Sequence, residues 1–409
     1  MSERRFIPSQ LDEVEDAEDY RPGGFHPMYI GDEFANGRYG IVHKLGFGGS
    51  STVWLARDRQ QGSGKLVTLK ALRADASNAD SPDLVIPKLL QRTGLPDAYL
   101  RTIEDHFVVD GPNGSHDFLV SAFSGPSIQA MLYRPDGPRL RAALARKIAA
   151  QAACAMEHIH RAGFVHGDFT TSNLLFRLND KVMKWSDNKV YTHFGSPIMD
   201  EVRTCSGQVV GPHAPSELVE AIGHDAFANI LEENIIVIDF GQSYRAPDPP
   251  KDYEPATLAD YMSPETRFEK RVGPEADVWQ LGCAIFEIRT GGPLFDPFFP
   301  SDTYIIPQMI ETLGRLPDPW YNAFRNRVQC FEEDEQPEEG SSIREKLRSF
   351  GTPKRIPGYN RGPMFEKMET KMDDKEAELL TDLLEKMLRY RPEDRIGIRE
   401  VVDHPWFKE

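Results

Sequence analysis

The chain has 409 residues, of which 40% are hydrophobic, and a formal net charge of −16. That length supports one large domain or two lobes with ample core. The acidic balance argues against direct nucleic-acid binding and suits a basic protein partner. No apolar run reaches the roughly 18 residues a membrane span needs, so no membrane association is expected. The polar start MSERRFIPSQ lacks an apolar signal core. Cys154, Cys205, Cys283 and Cys330 are too scattered for a zinc pattern and read as reduced thiols in a cytoplasmic or nuclear protein.

In chain order, residues 1 to about 20 are acidic and aperiodic, so a mobile tail is expected. DYRPGGFHPMYIGDEFANGRYGIVHKLG is punctuated by Gly and Pro and reads as extended chain with turns. From Tyr39 the runs YGIVHKLG, STVWLARD and KLVTLKAL predict a small antiparallel sheet. Between the first two lies GFGGSSTVW. Gly46 and Gly48 lack Cβ atoms, so backbone N–H groups could approach phosphates closely, although a plain hairpin would also explain them. Val53 is suited to cover an adenine ring. Lys70 stands alone in LVTLKAL. A buried lysine is costly unless paired, and polyphosphate would pair it; an edge-strand lysine reaching solvent is the plainer alternative. SPDLVIPKLLQRTG predicts a helix, and DFLVSAFSGPSI (residues 117–128) a strand leading into a loop. RAALARKIAAQAACAMEHIHRAG predicts a helix that stops at Gly163.

The stretch FVHGDFTTSNLLF places Asp168 and Asn173 in an apolar frame. A carboxylate could orient a hydroxyl there while an amide oxygen holds a metal, which is the division of labour in phosphoryl transfer. Small-molecule phosphotransferases share such a stretch. Residues 177–234 are less orderly, with a helix expected near SELVEAIGHDAFANIL. IIVIDFG then predicts a buried strand ending at Asp239, placed for magnesium or simply for a turn. ADVWQLGCAIFEIRTG, PQMIETLGRLP and TDLLEKMLRYRPEDRIGIREVVDHPWF read as helices, and FEEDEQPEEGSS as a charged surface loop.

Gly46/Gly48/Val53, Lys70, Asp168/Asn173, Asp239-Phe240-Gly241, Ser263-Pro264-Glu265, Asp277 and Arg395, in that order, resemble the eukaryotic protein kinase signature set. Three passages are more closely similar to the SR-protein kinases: DYRPGGFHPMYIGDEFANGRYGIVHKLG, GFGGSSTVWLARD and GPLFDPFFPSDTYIIPQMIETLGRLPDPWY, the last resembling their fungal branch. The resemblance implies an α+β, bilobal fold: an extension over 1–38, a β-rich N-lobe over 39–124, and a mainly helical C-lobe over 125–409 with an insertion at about 177–234. It implies ATP between the lobes, near Leu45, Gly46, Gly48, Gly49, Ser50, Ser51, Val53, Lys70, Ser121 and Phe123. Asn173 and Asp239 would hold Mg2+, and Asp168 would orient the serine hydroxyl. Lys70 would reach the α and β phosphates, and Glu265 would pair with Arg395. Asp277 would brace the catalytic loop. The expected partner is a basic, Arg/Ser-rich splicing factor, phosphorylated by a monomer. Asp302 and Glu311 are candidate docking acids, with Glu332–Glu339 as a possible helper and more simply a solvated loop.

Several positions depart from the kinase pattern. The helix after Lys70 holds no glutamate; Ile86 falls near that place, and Pro87 should restrict it away from helix. Asp83 could substitute only from a shifted helix. Thr170 stands where a lysine is usual and Thr68 where alanine is usual, while Ser121 and Ala122 fall at the gatekeeper and hinge. Gly167 replaces the arginine that often serves activation-loop phosphate, which predicts activity independent of phosphorylation at Thr257. The alternative to an active kinase is a pseudokinase that binds nucleotide or acts as a scaffold.

Overall fold

The computed structural model describes residues 4–60, 64–93, 99–133, 138–327, 342–349, 363–367 and 369–408. Cys330 and the run Glu332–Glu339 lie outside them. The chain forms two compact units. One unites Met1–Gln91, Arg101–Pro126 and Arg177–Glu232; the other unites Arg92–Leu100, Ser127–Phe176 and Glu233–Glu409.

The first unit is built on a six-stranded antiparallel sheet. Its strands are β1 (Glu33–Phe34), β2 (Tyr39–Gly48), β3 (Ser51–Asp58), β4 (Lys65–Leu72), β5 (Asp105–Gly111) and β6 (Gly114–Ala122), in spatial order β1-β2-β3-β4-β6-β5. Period-two alternation sorts the side chains of β4. Val67, Leu69 and Ala71 enter a core with Tyr39, Trp54 and Phe118. Leu66 and Leu72 face the other way, into separate clusters, and Lys70 shares their side. Helix α1 (Pro82–Gln91) packs there through Leu84, which joins Leu72 and Leu119. Contrary to expectation, α1 runs through Pro87, and Ile86 is helical. Burial of Leu84, Ile86 and Leu90 holds the helix, against the loss of the backbone bond that Pro87 cannot donate.

The amino-terminal segment is ordered, not a free tail. Phe6, Ala17, Tyr20 and Phe25 form a core with Val202, Ala214 and Leu218. Glu15 is buried, accepts from the Tyr20 hydroxyl at 2.5 Å, and pairs with the fully buried Lys44 of β2. Residues 177–232, expected with the helical lobe, belong to this sheet unit. Leu178, Val182, Trp185, Val190, Ile222 and Phe227 pack with Val42, Leu55 and Phe123. A helix at Asp187–Phe194, capped by the Ser186 side chain, was not expected. The expected helix near SELVEAIGHDAFANIL is instead a strand, Glu217–Val219, paired with Met199–Glu201, followed by one 3-10 turn, His224–Phe227. Gly223 interrupts the run, and Leu218 and Val219 take buried strand positions.

The second unit is mainly helical, with helices at Ala142–Arg161, Pro274–Thr290, Asp302–Leu313, Asp318–Arg327 and Asp374–Met387. Gly163, at φ 82°, ends the first of these. Pro274–Thr290 is buried from Ala276 to Arg289 and so forms the central helix of the unit. With a β-rich unit and a helical unit, the fold is α+β and bilobal. Cys154, Cys205 and Cys283 are free thiols. Among the described residues no helix is long and apolar enough to cross a membrane.

Candidate active site

In the second unit, Asp168 lies on the loop between the strands Phe164–Val165 and Leu174–Leu178. The central helix fastens this loop. The buried Asp277 carboxylate accepts the His166 N–H at 2.8 Å and the Gly167 N–H at 2.9 Å, and contacts His160 Nε2 at 2.8 Å. Three residues on, and so on the same face, Gln280 Oε1 accepts the Phe169 N–H at 2.6 Å while its Nε2 donates to the Gly167 carbonyl at 3.3 Å. Farther along, Glu287 accepts from the Tyr261 hydroxyl, which lies 3.2 Å from Thr171 Oγ1. Asp277 is legible in the sequence, but Gln280 and Glu287 are not, because a polar residue in an apolar helix does not announce which loop it meets, and Tyr261 lies in a turn with no local signal of its partner.

Asn173 Nδ2 donates to the Asp168 carbonyl and to Asp168 Oδ2, both at 2.8 Å. That leaves the amide oxygen of Asn173 facing away from these partners. Asp168 Oδ1 is buried without a hydrogen-bond partner. Burial pushes the Asp168 carboxyl above the usual carboxylate range; the nearby Thr257 hydroxyl, His166 and Asn173 oppose the rise, and the charge of Asp239 adds to it. Asp239 sits at φ 62°, a left-handed turn that aspartate tolerates better than most residues. Its Oδ1 accepts the Gly241 N–H at 3.3 Å, and the Ile238 N–H donates to the Asn173 carbonyl at 2.9 Å. The structure therefore brings Asp168, Asn173 and Asp239 together.

The departures have local explanations. Gly167 adopts φ 82°, and a Cβ there would stand 2.5 Å from the Gln242 carbonyl oxygen and 2.6 Å from the Tyr253 hydroxyl. That hydroxyl donates to the same carbonyl at 3.0 Å. Thr170 is fully buried, with its Oγ1 2.6 Å from Ser172 Oγ. Thr257, considered above as a phosphorylation site, is buried beside Asp168.

In the first unit, Leu45 through Val53 form the β2–β3 hairpin, with Gly48 opposite Ser51 and Gly46 opposite Val53. A Cβ added at Gly46, Gly48 or Gly49 would meet nothing within 4 Å, so the fold itself does not demand glycine there. Ser50 lies in the turn, and Ser51 is buried. Lys70 stands between Val53 and Leu119 in register, and its Nζ meets Asp83 Oδ2 at 2.8 Å. Thr68 lies opposite Ser121, which is buried. The ring of Phe123 packs near Phe194 and Phe227.

Away from the catalytic loop, Glu265 and Arg395 form a buried bidentate pair, with Arg395 nitrogens 2.6 and 2.5 Å from the two carboxylate oxygens. Arg395 also donates to the carbonyls of Glu275, Arg389 and Tyr390. This closure, together with the Asp277 brace, separates the arrangement from the small-molecule phosphotransferases, which share only the catalytic stretch. The chain is a protein kinase.

Comparison with known proteins takes this further. Residues 227–407 match the protein kinase domain family. The chain is 25% identical to protein kinase dsk1 of Schizosaccharomyces pombe, in an alignment covering 97% of this chain and 85% of that protein. It is 27% identical to the serine/threonine-protein kinase SRPK of Physarum polycephalum, over 97% of this chain and 92% of that protein. SRSF protein kinase 3 of Homo sapiens is 30% identical over 44% of this chain and 32% of its own length. The chain is a protein serine/threonine kinase, and over most of its length it is similar to SR-protein kinases.

Proposed function

We propose that the chain transfers the γ-phosphoryl group of ATP to serine in basic, Arg/Ser-rich protein segments, with magnesium as the metal. The observation that carries the catalytic part is the buried, unpartnered Asp168 Oδ1. A buried acceptor without a donor costs free energy; the buried Thr257 hydroxyl stands near this carboxylate, and a substrate hydroxyl would take that donor's place. In this reading Asp168 orients the serine and takes its proton; Asn173 fixes that carboxylate through Oδ2. The Asn173 amide oxygen and the Asp239 carboxylate are hard oxygen donors suited to a divalent cation, which would neutralise phosphate charge. Lys70 takes the α and β phosphates. The glycines at 46, 48 and 49 keep the hairpin bare, so its backbone N–H groups can approach phosphate. Leu45, Val53, Ser121 and the Phe123 backbone complete the nucleotide contacts.

The substrate class rests on charge and on kinship. One relative is named for SRSF proteins. Arginine pairs bidentately with carboxylates, and the chain carries a net charge of −16. Asp302 is engaged by Arg267, whereas Glu311 and Asp296 lie close enough to act on the charge of Lys346. We assign docking to Asp302 and Glu311, where substrate arginines would compete with the cations these acids already face. Action as a monomer in the cytoplasm or nucleus fits this reading. The test is transfer of labelled phosphate from ATP to an Arg/Ser peptide and to an acidic control peptide, by wild type and Asp168→Asn. Transfer to the Arg/Ser peptide alone, lost in the variant, is expected. Magnesium-dependent ATP binding without transfer by wild type would replace this reading with the pseudokinase one.

A further inference from the structure

Lys70 lacks the helix glutamate that most protein kinases pair with this lysine, and the geometry of the first unit supplies a replacement. Strand β4 is hydrogen-bonded on both sides, by β3 and β6, so Lys70 is not an edge lysine. Its side chain retains only 12% of its exposure, and that of Asp83 10%. The Leu72–Leu84–Leu119 cluster, with Ile103 against it, presses α1 onto the face of the sheet that carries Lys70. The residue before Leu84 is Asp83, in the first turn of α1, and its Oδ2 meets Lys70 Nζ at 2.8 Å. No other acidic residue occurs in α1. Ile86 is buried at 5% exposure, one helical turn on, where an acid would be expected. A helix rises about 1.5 Å per residue, so an acid three positions earlier stands about 4.5 Å back along the axis. The helix therefore meets the lysine with its amino-terminal turn instead of its middle. A carboxylate there is also favoured by the helix dipole.

We propose that Asp83 is the positioning residue for Lys70, holding the ammonium where it can meet the α and β phosphates of ATP. The proposal rests on the reading of Lys70 as a phosphate ligand. Asp83 touches no substrate atom; it fixes the rotamer and charge of a residue that does. Removing the Asp83 carboxylate takes away one charged partner of a largely buried lysine and frees its ammonium to shift toward other acceptors.

The test is a double-mutant cycle on ATP affinity, with Asp83→Asn, Lys70→Met and the double variant, backed by steady-state kinetics of Asp83→Asn and Asp83→Glu. Titration with magnesium-ATP should show Asp83→Asn weakening binding about tenfold, the scale of one lost charge-assisted hydrogen bond. The double variant should bind no more weakly than Lys70→Met alone, because Asp83 acts through the lysine. In turnover, KM for ATP should rise or kcat fall while KM for the peptide stays constant, and Asp83→Glu should recover part of the loss. Additive effects in the cycle, or wild-type ATP affinity in Asp83→Asn, would overturn the proposal. If Asp83→Asn fails to fold, Asp83→Glu carries the test, since a merely structural carboxylate would leave ATP affinity unchanged. An inactive wild type that still binds ATP would remove the proposed transfer reaction and leave the binding cycle to judge Asp83.

Discussion

Replacing Gly167 by alanine isolates what holds the segment after the Asp239–Gly241 turn. The residue sits at φ 82°, where a side chain costs about 1–2 kcal/mol. The new Cβ would stand 2.5 Å from the Gln242 carbonyl oxygen and 2.6 Å from the Tyr253 hydroxyl. The hydroxyl can swing aside, but the carbonyl is backbone and moves only with its segment. Displacing both breaks the 3.0 Å Tyr253–Gln242 hydrogen bond, about 1 kcal/mol more. The sum is about 2–3 kcal/mol. If the segment detaches locally to relieve the clash, that sum appears as a loss of roughly 30- to 150-fold in kcat/KM, at about 1.4 kcal/mol per factor of ten. Tyr253→Phe, which removes only the hydrogen bond, should cost roughly fivefold. Gly167→Arg should behave like the alanine variant, and phosphorylating the protein beforehand should not rescue it. Thermal unfolding and peptide kinetics on the same preparations read both parts. Wild-type melting and wild-type kcat/KM for Gly167→Ala would refute the packing argument.

Other consequences can be measured on the same footing. Glu265→Gln leaves Arg395 buried with its counter-charge gone, so about 3–5 kcal/mol of stability should be lost; a melting temperature within 2 °C of wild type, well short of the roughly 2–4 °C expected per kcal/mol, would contradict this. Glu15→Gln should be similarly costly, because Lys44 beneath it is fully buried and its pKa is already pushed down by burial. Limited proteolysis should then cut the amino-terminal segment in the variant sooner than in wild type, and equal cleavage rates would show that the pair does not hold it. Asp168 must be ionised to accept a proton, and its pKa is raised by burial, so on acidification kcat/KM should begin to fall at a higher pH than an unperturbed aspartate would allow. An acid limb at or below the ordinary aspartate value would remove Asp168 from that role.

What the sequence disclosed follows the range of the interactions. The alternation of KLVTLKAL is local, and β4 covers the same residues, Lys65–Leu72. The Ala-rich helix and its Gly163 stop are equally local, and the Asp168–Asn173 stretch carries its chemistry within six residues. The amino-terminal segment failed the same treatment because its few apolar residues are completed from far away. Phe6 and Tyr20 meet Val202 and Leu218, a separation no window could span. Its acidity suggested a solvated tail, yet Glu15 is acidic in order to meet a buried lysine on β2. The helix at Asp187–Phe194 was hidden among the glycines and prolines of the surrounding segment. Pro87 misled in the opposite sense, since tertiary burial of Leu84, Ile86 and Leu90 outweighed the local preference against helix.

The departures from the kinase pattern bear on whether this catalytic centre is decayed. Loss of function leaves partners behind: a lysine with nothing to hold it, a cavity where an arginine stood, a polar loop residue with no bond. None of these is found at the positions concerned. Lys70 meets Asp83 at 2.8 Å. The space over Gly167 is occupied by the Tyr253 hydroxyl and the Gln242 carbonyl. Thr170 is buried with its hydroxyl against Ser172. In this loop Asp168 Oδ1 is buried without a hydrogen bond, with the buried Thr257 hydroxyl close to the carboxylate. Transfer needs a loop that is fully braced around an ionisable carboxylate, whereas a scaffold needs neither the brace nor the carboxylate. The intact supports therefore favour phosphoryl transfer over a scaffolding role.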